Sequence, residues 1–322
     1  MVEIPDQPEE QALEVEFIGD RKVPILPGQS LLAASLAAGI PHFHACGGQA
    51  KCSTCRVIII DGLDNLNTTG SLEAGLKQIL NLPSTVRLAC QTKVLREPVK
   101  LERLIRDEAD IDFIERQQGE EDFILKPMGE EKYVALLFVD VRDFTPFVES
   151  SFPFDVIYTM HKILNIFCKA VEEHGGEVVE TAGDELFAIF EFNTSTPHAA
   201  DTVVAAGNAI LSRISDMNEK YRELYAGREF EVGIGIHTAR VIVGQVNIGG
   251  KPKRFVTGLG VNIASRIQQA TRKVNNSFLA SEEIAKHTSV AENAERCKIS
   301  LKGVSADATI YLLGRPYKKL NV

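Results

Sequence analysis

The chain has 322 residues, too many for one ordinary domain and enough for two. Its 44% hydrophobic and 25% charged residues are the make-up of a soluble globular protein, and no apolar run nears the ~20 residues that span a bilayer. A formal net charge of −9 without any basic stripe excludes a nucleic-acid backbone as partner.

The opening MVEIPDQPEE is acidic and contains proline, the opposite of a secretion signal, so the cytoplasm is the expected compartment. Six cysteines there read as reduced thiols or metal ligands rather than disulfides. Residues 13–26 hold two β-type runs joined at Gly19–Asp20, a hairpin signal. Residues 29–38 read as a helix stopped by Gly39. A cysteine loop follows, then the β-branched run Val57–Ile60, then a helix-and-strand stretch through Cys90 to Leu101. Residues 104–131 are dense in charge and interrupted by Gly119, Pro127 and Gly129, which suggests a linker, partly helical and partly extended.

A second pattern starts at Tyr133, where YVALLFVD reads as a buried strand ending in an acid. Residues 154–174 predict an amphipathic helix, and EVVETAGDELFAIF a strand, a turn and a strand. Residues 199–224 predict a long helix, FEVGIGIHTARVIVGQV a second strand–turn–strand, and VNIASRIQQAT the start of another helix. A sheet covered by helices is expected, and there is no internal repeat. The division implied is 1–103, 104–131 and 132–322.

The cysteines Cys46, Cys52 and Cys55 follow C-x5-C-x2-C, and Cys90 comes after 34 further residues. Three ligands on one loop with a fourth from afar suit a [2Fe–2S] cluster, whereas structural zinc usually takes two close cysteine pairs. Zinc and free thiols are the alternatives. Gly47 and Gly48 permit unusual φ, and small Ala50, Ser53 and Thr54 allow close approach to sulfide. HACGGQAKCSTCRV followed by RLACQT resembles the [2Fe–2S] ferredoxins, nearer the x5 spacing of the adrenodoxin-like branch. The resemblance covers about residues 12–103 and implies a β-grasp fold with the cluster near the surface. His42 and His44 flank the loop and are expected to be solvated, with tuning of the cluster as the second reading. Cys168 and Cys297 are expected to be buried spare thiols.

Asp140 ends a strand and Asp184 sits in the turn AGDE, so both carboxylates are held by sheet ends. Two such groups can share a pair of divalent cations for phosphoryl or nucleotidyl transfer. The amides of Phe144 and Thr145, at a helix start, are suitable phosphate donors. Asn262 and Arg266, four apart in VNIASRI, share a helix face. FVDVRDFT, ETAGDELFAIF and VNIASRI together resemble the catalytic domain of class III adenylate/guanylate cyclases over about residues 133–315.

That resemblance implies an α+β chain whose second domain is an α/β sandwich with a palm-type sheet. It makes Asp140 and Asp184 ligands of two Mg²⁺ or Mn²⁺ ions per site, Asn262 the ribose-orienting group and Arg266 the stabiliser of charge on the α-phosphate. Lys302 would meet the terminal phosphates. The substrate implied is a nucleoside triphosphate, ATP or GTP, in a homodimer with its sites at the interface. Glu180, four residues before Asp184, stands where most adenylate cyclases carry Lys and matches guanylate cyclases. Phe255, seven before Asn262, departs from both patterns and cannot read a base edge by hydrogen bonds. Cyclic-nucleotide synthesis under redox control, with an electron donor to the cluster, is the expectation. The alternative is an electron-transfer ferredoxin fused to an inactive, cyclase-like dimerisation module.

Overall fold

The computed structural model describes residues 12–106, 128–192, 199–248, 251–304 and 307–318. Chain contacts divide it into two compact units, Met1–Glu130 with Gln245–Lys253, and Glu131–Gly244 with Arg254–Val322. Most of the expected linker, over 107–127, lies outside the described residues. Among the described residues no helix is long and apolar enough to cross a membrane.

In the first unit β1 (Leu13–Phe17) and β2 (Lys22–Ile25) form the expected hairpin around Gly19, whose φ of 85° suits glycine. Helix α1 (Leu31–Ala37) starts where the Ser30 hydroxyl accepts the Ala33 N–H at 3.2 Å. Strand β3 (Arg56–Asp61), helix α2 (Ser71–Ile79), β4 (Val86–Leu88) and β5 (Val99–Arg103) complete the unit. The sheet order is β2-β1-β5-β3-β4, with β1 and β5 parallel. Alternation along the strands sends Val15, Phe17, Val57, Ile59, Val99 and Leu101 into one core with Leu31 and Leu32 of α1. Glu73 of α2 is fully buried and takes Arg87 Nε at 2.9 Å and the Leu88 N–H at 2.8 Å, which ties α2 to β4.

The second unit begins with β6 (Gly129–Val141), α3 (Phe144–Glu149) and α4 (Pro153–Glu173). Then come β7 (Glu177–Ala182), β8 (Glu185–Glu191) and α5 (Ala199–Lys220). Strands β9 (Val232–Ile248) and β10 (Lys251–Thr257) lead to α6 (Leu259–Val274). The unit ends with β11 (Phe278–Ser281), α7 (Glu282–Ala285), β12 (Glu295–Ile299) and β13 (Ala308–Leu312). The sheet is 8-stranded, ordered β12-β13-β11-β9-β6-β8-β7 with β10 on β9. Both its faces are covered, which is why β6 reads as a continuous apolar run. Ala135, Leu137, Val139 and Val141 pack under α4 and α5, while Val134, Leu136 and Phe138 pack with Val241, Val243 and Ala264 on the α6 side.

One expectation fails here. The segment read as strand, turn and strand is a single 17-residue strand, β9, and its hairpin partner is β10. The stretch HTAR offers no turn chemistry, and Gly233 and Gly235 serve close packing instead, as shown below.

Candidate functional site

The cysteine loop lies between α1 and β3. Gly47, Gly48 and Ala50 have φ of 63°, 79° and 54°, so the backbone coils through the left-handed region around the thiols. Thr54 Oγ1 accepts the Ala45 N–H at 2.9 Å and lies 3.1 Å from Cys52 Sγ. The distant fourth cysteine arrives by strand pairing. β3 and β4 pair Arg56 with Leu88, and the Ala89 N–H donates to the Cys55 carbonyl at 3.0 Å, which sets Cys90 beside Cys55. The thiols therefore meet two and two. A hydrogen bond from Cys52 draws Cys46 down to about 5 and pushes Cys52 up, and Cys90 is drawn to about 7 by Cys55, which is pushed up. Two thiolates per iron is what a [2Fe–2S] rhomb needs, so the donor set fits. Among the described residues no three His, Cys, Asp or Glu side chains are set around a single ion.

His42 and His44 are not solvated, contrary to expectation: they are 2% and 6% exposed. His42 Nδ1 lies 2.9 Å from Ser35 Oγ, and His44 Nδ1 donates to the His42 carbonyl at 2.6 Å. Burial, helped by the Arg103 charge, pushes His42 down to about 3, so it is neutral. The pair fastens the loop to α1, a role no loop pattern announces. Cys168 and Cys297 are half-buried against the cores.

In the second unit antiparallel pairing sets Asp140 opposite Glu185, next to Asp184 in the β7–β8 turn. Asp140 is pushed up to about 7, first by burial and then by the charge of Asp184 and a hydrogen bond with it, against the pull of Arg142. Burial and Asp184 also raise Glu185. Carboxylates crowded in this way suit divalent cations. Arg142, which the sequence reading passed over, donates from Nη2 to Asp140 Oδ2 at 2.8 Å. It lies in the turn just past β6, where strand alternation gives no signal. Asp143, with φ 53°, precedes α3, and no side chain caps that helix. Phe144 packs against the core, while Thr145 is exposed.

Among the described residues no hydrogen bond or ion pair joins Asn262 or Arg266 to these carboxylates. Helix α6 lies along β9, with Gly260 against Ala239 and Leu136 at one end and Thr271 by Gly233 near Arg142 at the other. Arg272 ion-pairs with Asp143 at 3.0 Å, and Asn262 stands ten residues, about 15 Å, up the helix from it. Arg266 turns back to its own helix, donating to Gln269 Oε1 at 2.6 Å. Glu180 is exposed on β7 and Phe255 half-buried on β10. Their neighbours Val179 and Val256 pack in one cluster with Phe138 and Phe187. Lys302 is exposed in a turn between β12 and β13.

Comparison with known proteins bears on both units. Residues 17–95 match the 2Fe-2S iron-sulfur cluster binding domain, and residues 127–314 match the adenylate and guanylate cyclase catalytic domain. An adenylate cyclase of Anabaena cylindrica is 27% identical over 164 residues, 50% of this chain and 32% of its own length. Adenylate cyclase 1 of Rhizobium meliloti is 29% identical over 150 residues, 46% of this chain and 22% of its own. The chain thus spans less than a third of the length of these curated relatives. The adenylyl cyclase CyaB from P. aeruginosa superposes with a TM-score of 0.52 at 22% identity, covering 59% of this chain and 98% of that one. The guanylyl cyclase Cya2 gives 0.51 at 24%, covering 60% and 98%, and both likenesses concern the fold alone. With its cyclase match running over more than half its length, the chain belongs to the family of the adenylate and guanylate cyclase catalytic domain, joined here to a 2Fe-2S iron-sulfur cluster binding domain.

Proposed function

We propose that the chain converts a nucleoside triphosphate into a cyclic nucleotide and pyrophosphate, at sites shared between two copies. The observation that carries this is the facing pair Asp140 and Asp184 on a family domain that also holds Asn262 and Arg266. Two Mg²⁺ or Mn²⁺ ions held by Asp140 and Asp184 would supply the positive charge that gathers the triphosphate. The 3′-oxygen attacks the α-phosphorus in line, the bond to the β-phosphate oxygen breaks, and the hydroxyl proton passes to solvent. Asn262 of one copy orients the ribose, and Arg266 of that copy stabilises charge growing on the α-phosphate. The Phe144 and Thr145 amides and Lys302 meet the phosphates. Because α6 carries Asn262 away from its own Asp140, a second copy completes each site.

For the base, Glu180 accepts from guanine N1–H and N2–H₂, which favours GTP, while relatives named as adenylate cyclases favour ATP. Phe255 contributes packing alone. Cys46, Cys52, Cys55 and Cys90 hold the [2Fe–2S] cluster, and its redox state, set by an electron donor, biases the catalytic arrangement through residues 104–131. The working boundaries are 1–103, 104–131 and 132–322. The test incubates the coloured protein with each nucleoside triphosphate and Mg²⁺ or Mn²⁺, with and without dithionite. A cyclic nucleotide whose rate differs between the two redox states is expected. No cyclic product from any triphosphate refutes the enzyme reading and favours the electron-transfer alternative, and equal rates refute redox control.

A further inference from the structure

The turn that follows the strand bearing one carboxylate of the proposed metal site carries a cation beside it. Arg142 Nη2 lies 2.8 Å from Asp140 Oδ2, and its side chain is 11% exposed. This is no surface pair whose partner swings free. The Arg142 N–H donates to the Glu231 carbonyl at 2.7 Å, which fixes the backbone beneath the side chain. The guanidinium lies over Gly233 of β9. A Cβ at Gly233 would fall 2.7 Å from Nη2 and 2.5 Å from Thr271 Oγ1, so the glycine lets the guanidinium lie close to the strand. Nε is buried with no acceptor among the described residues, which leaves Asp140 as the side chain that satisfies this arginine.

An arginine cannot give up its proton to make way for another cation. A divalent ion approaching Asp140 therefore meets a fixed positive charge already bonded to one of its two oxygens. We propose that Arg142 is the resident counter-cation of Asp140, which a divalent ion has to displace, so that Arg142 sets the cation concentration at which the site fills. This rests on the reading of Asp140 and Asp184 as metal ligands. The arginine thereby offsets one negative charge of the empty pair, and it makes the filled state conditional on ample cation.

The test titrates Mn²⁺ into the 322-residue chain, free of divalent cations and with its cluster oxidised, and counts free Mn²⁺ by electron paramagnetic resonance, without nucleotide. Arg142→Gln and Arg142→Met, the second keeping the volume of the buried stem, are expected to bind Mn²⁺ about tenfold more tightly than the unaltered chain, the order of effect that one opposing charge at a half-screened site produces. Asp184→Ala is expected to weaken binding in every background. If Asp184→Ala weakens Mn²⁺ binding but both arginine variants bind equally or more weakly, the counter-cation role is overturned and the metal site stands. If Asp184→Ala changes nothing, the metal-site reading falls, and this inference with it.

Discussion

Asp140 faces two opposed demands: a strand end that buries it and a proposed chemistry that needs it charged. Burial dominates in the metal-free chain, which is why its value rises from the ordinary 3.8 to about 7 despite Arg142. For an acid raised in this way, the contribution to stability is complete below the unfolded value and is lost as pH climbs through about 7. A bound dication reverses that loss, because it favours the charged form. Saturating Mg²⁺ should therefore raise the melting temperature more at about pH 8 than at about pH 5.5, with Asp140→Asn removing the difference. Equal shifts at both pH values would show that Asp140 does not face the ion. His42 teaches the same lesson in reverse. A histidine beside a cysteine loop reads as solvated, yet only its neighbours in three dimensions decide that it is buried and neutral.

Among the elements, those with strong local signals lie close to where their residues put them. Helix α4 runs Pro153–Glu173 against an expected 154–174, with proline at its first position where the missing N–H costs nothing. Helix α5 stops at Lys220 instead of 224, and the Tyr221 ring is covered there by the Lys162 ammonium at 4.1 Å. Strand β9 is the element the pattern misjudged. Its glycines look like breaks in a strand but are places where α6 touches the sheet, since a Cβ at Gly235 would lie 2.2 Å from the Gln268 backbone nitrogen. Gly235→Ala should therefore cost about 1–3 kcal/mol by overpacking, read as a lower urea midpoint, and should cut cyclase activity by shifting the helix that bears Asn262 and Arg266. A fully stable Gly235→Ala would mean that α6 sits further from β9.

At the scale of the whole molecule the question is how many chains make one site. If Asp140 and Asp184 of one copy act with Asn262 and Arg266 of another, two inactive variants can repair each other. Asp184→Ala and Arg266→Ala are each expected to be inactive alone. Mixed in equal amounts under subunit exchange, half the dimers are mixed and each has one intact site of two, so about a quarter of the unaltered activity returns. If no activity returns although mixed dimers are present, the site lies within one chain.

The sequence by itself determined the candidate groups for the proposed chemistry: cysteine spacing for a cluster, carboxylates at strand ends, an Asn/Arg pair on one helix face, and most of the order of the elements around them. These are legible because ligand spacing and hydrophobic period are local properties. Tertiary structure decided what depends on residues far apart in the chain. Pairing of β3 with β4 brings Cys90 to Cys55, and Arg142 reaches Asp140 over Gly233 of β9. The course of α6 along β9 sets Thr271 and Arg272, not Asn262, beside Arg142 and Asp143. Burial and proximity are sums over neighbours from many segments, and no short window of sequence contains them.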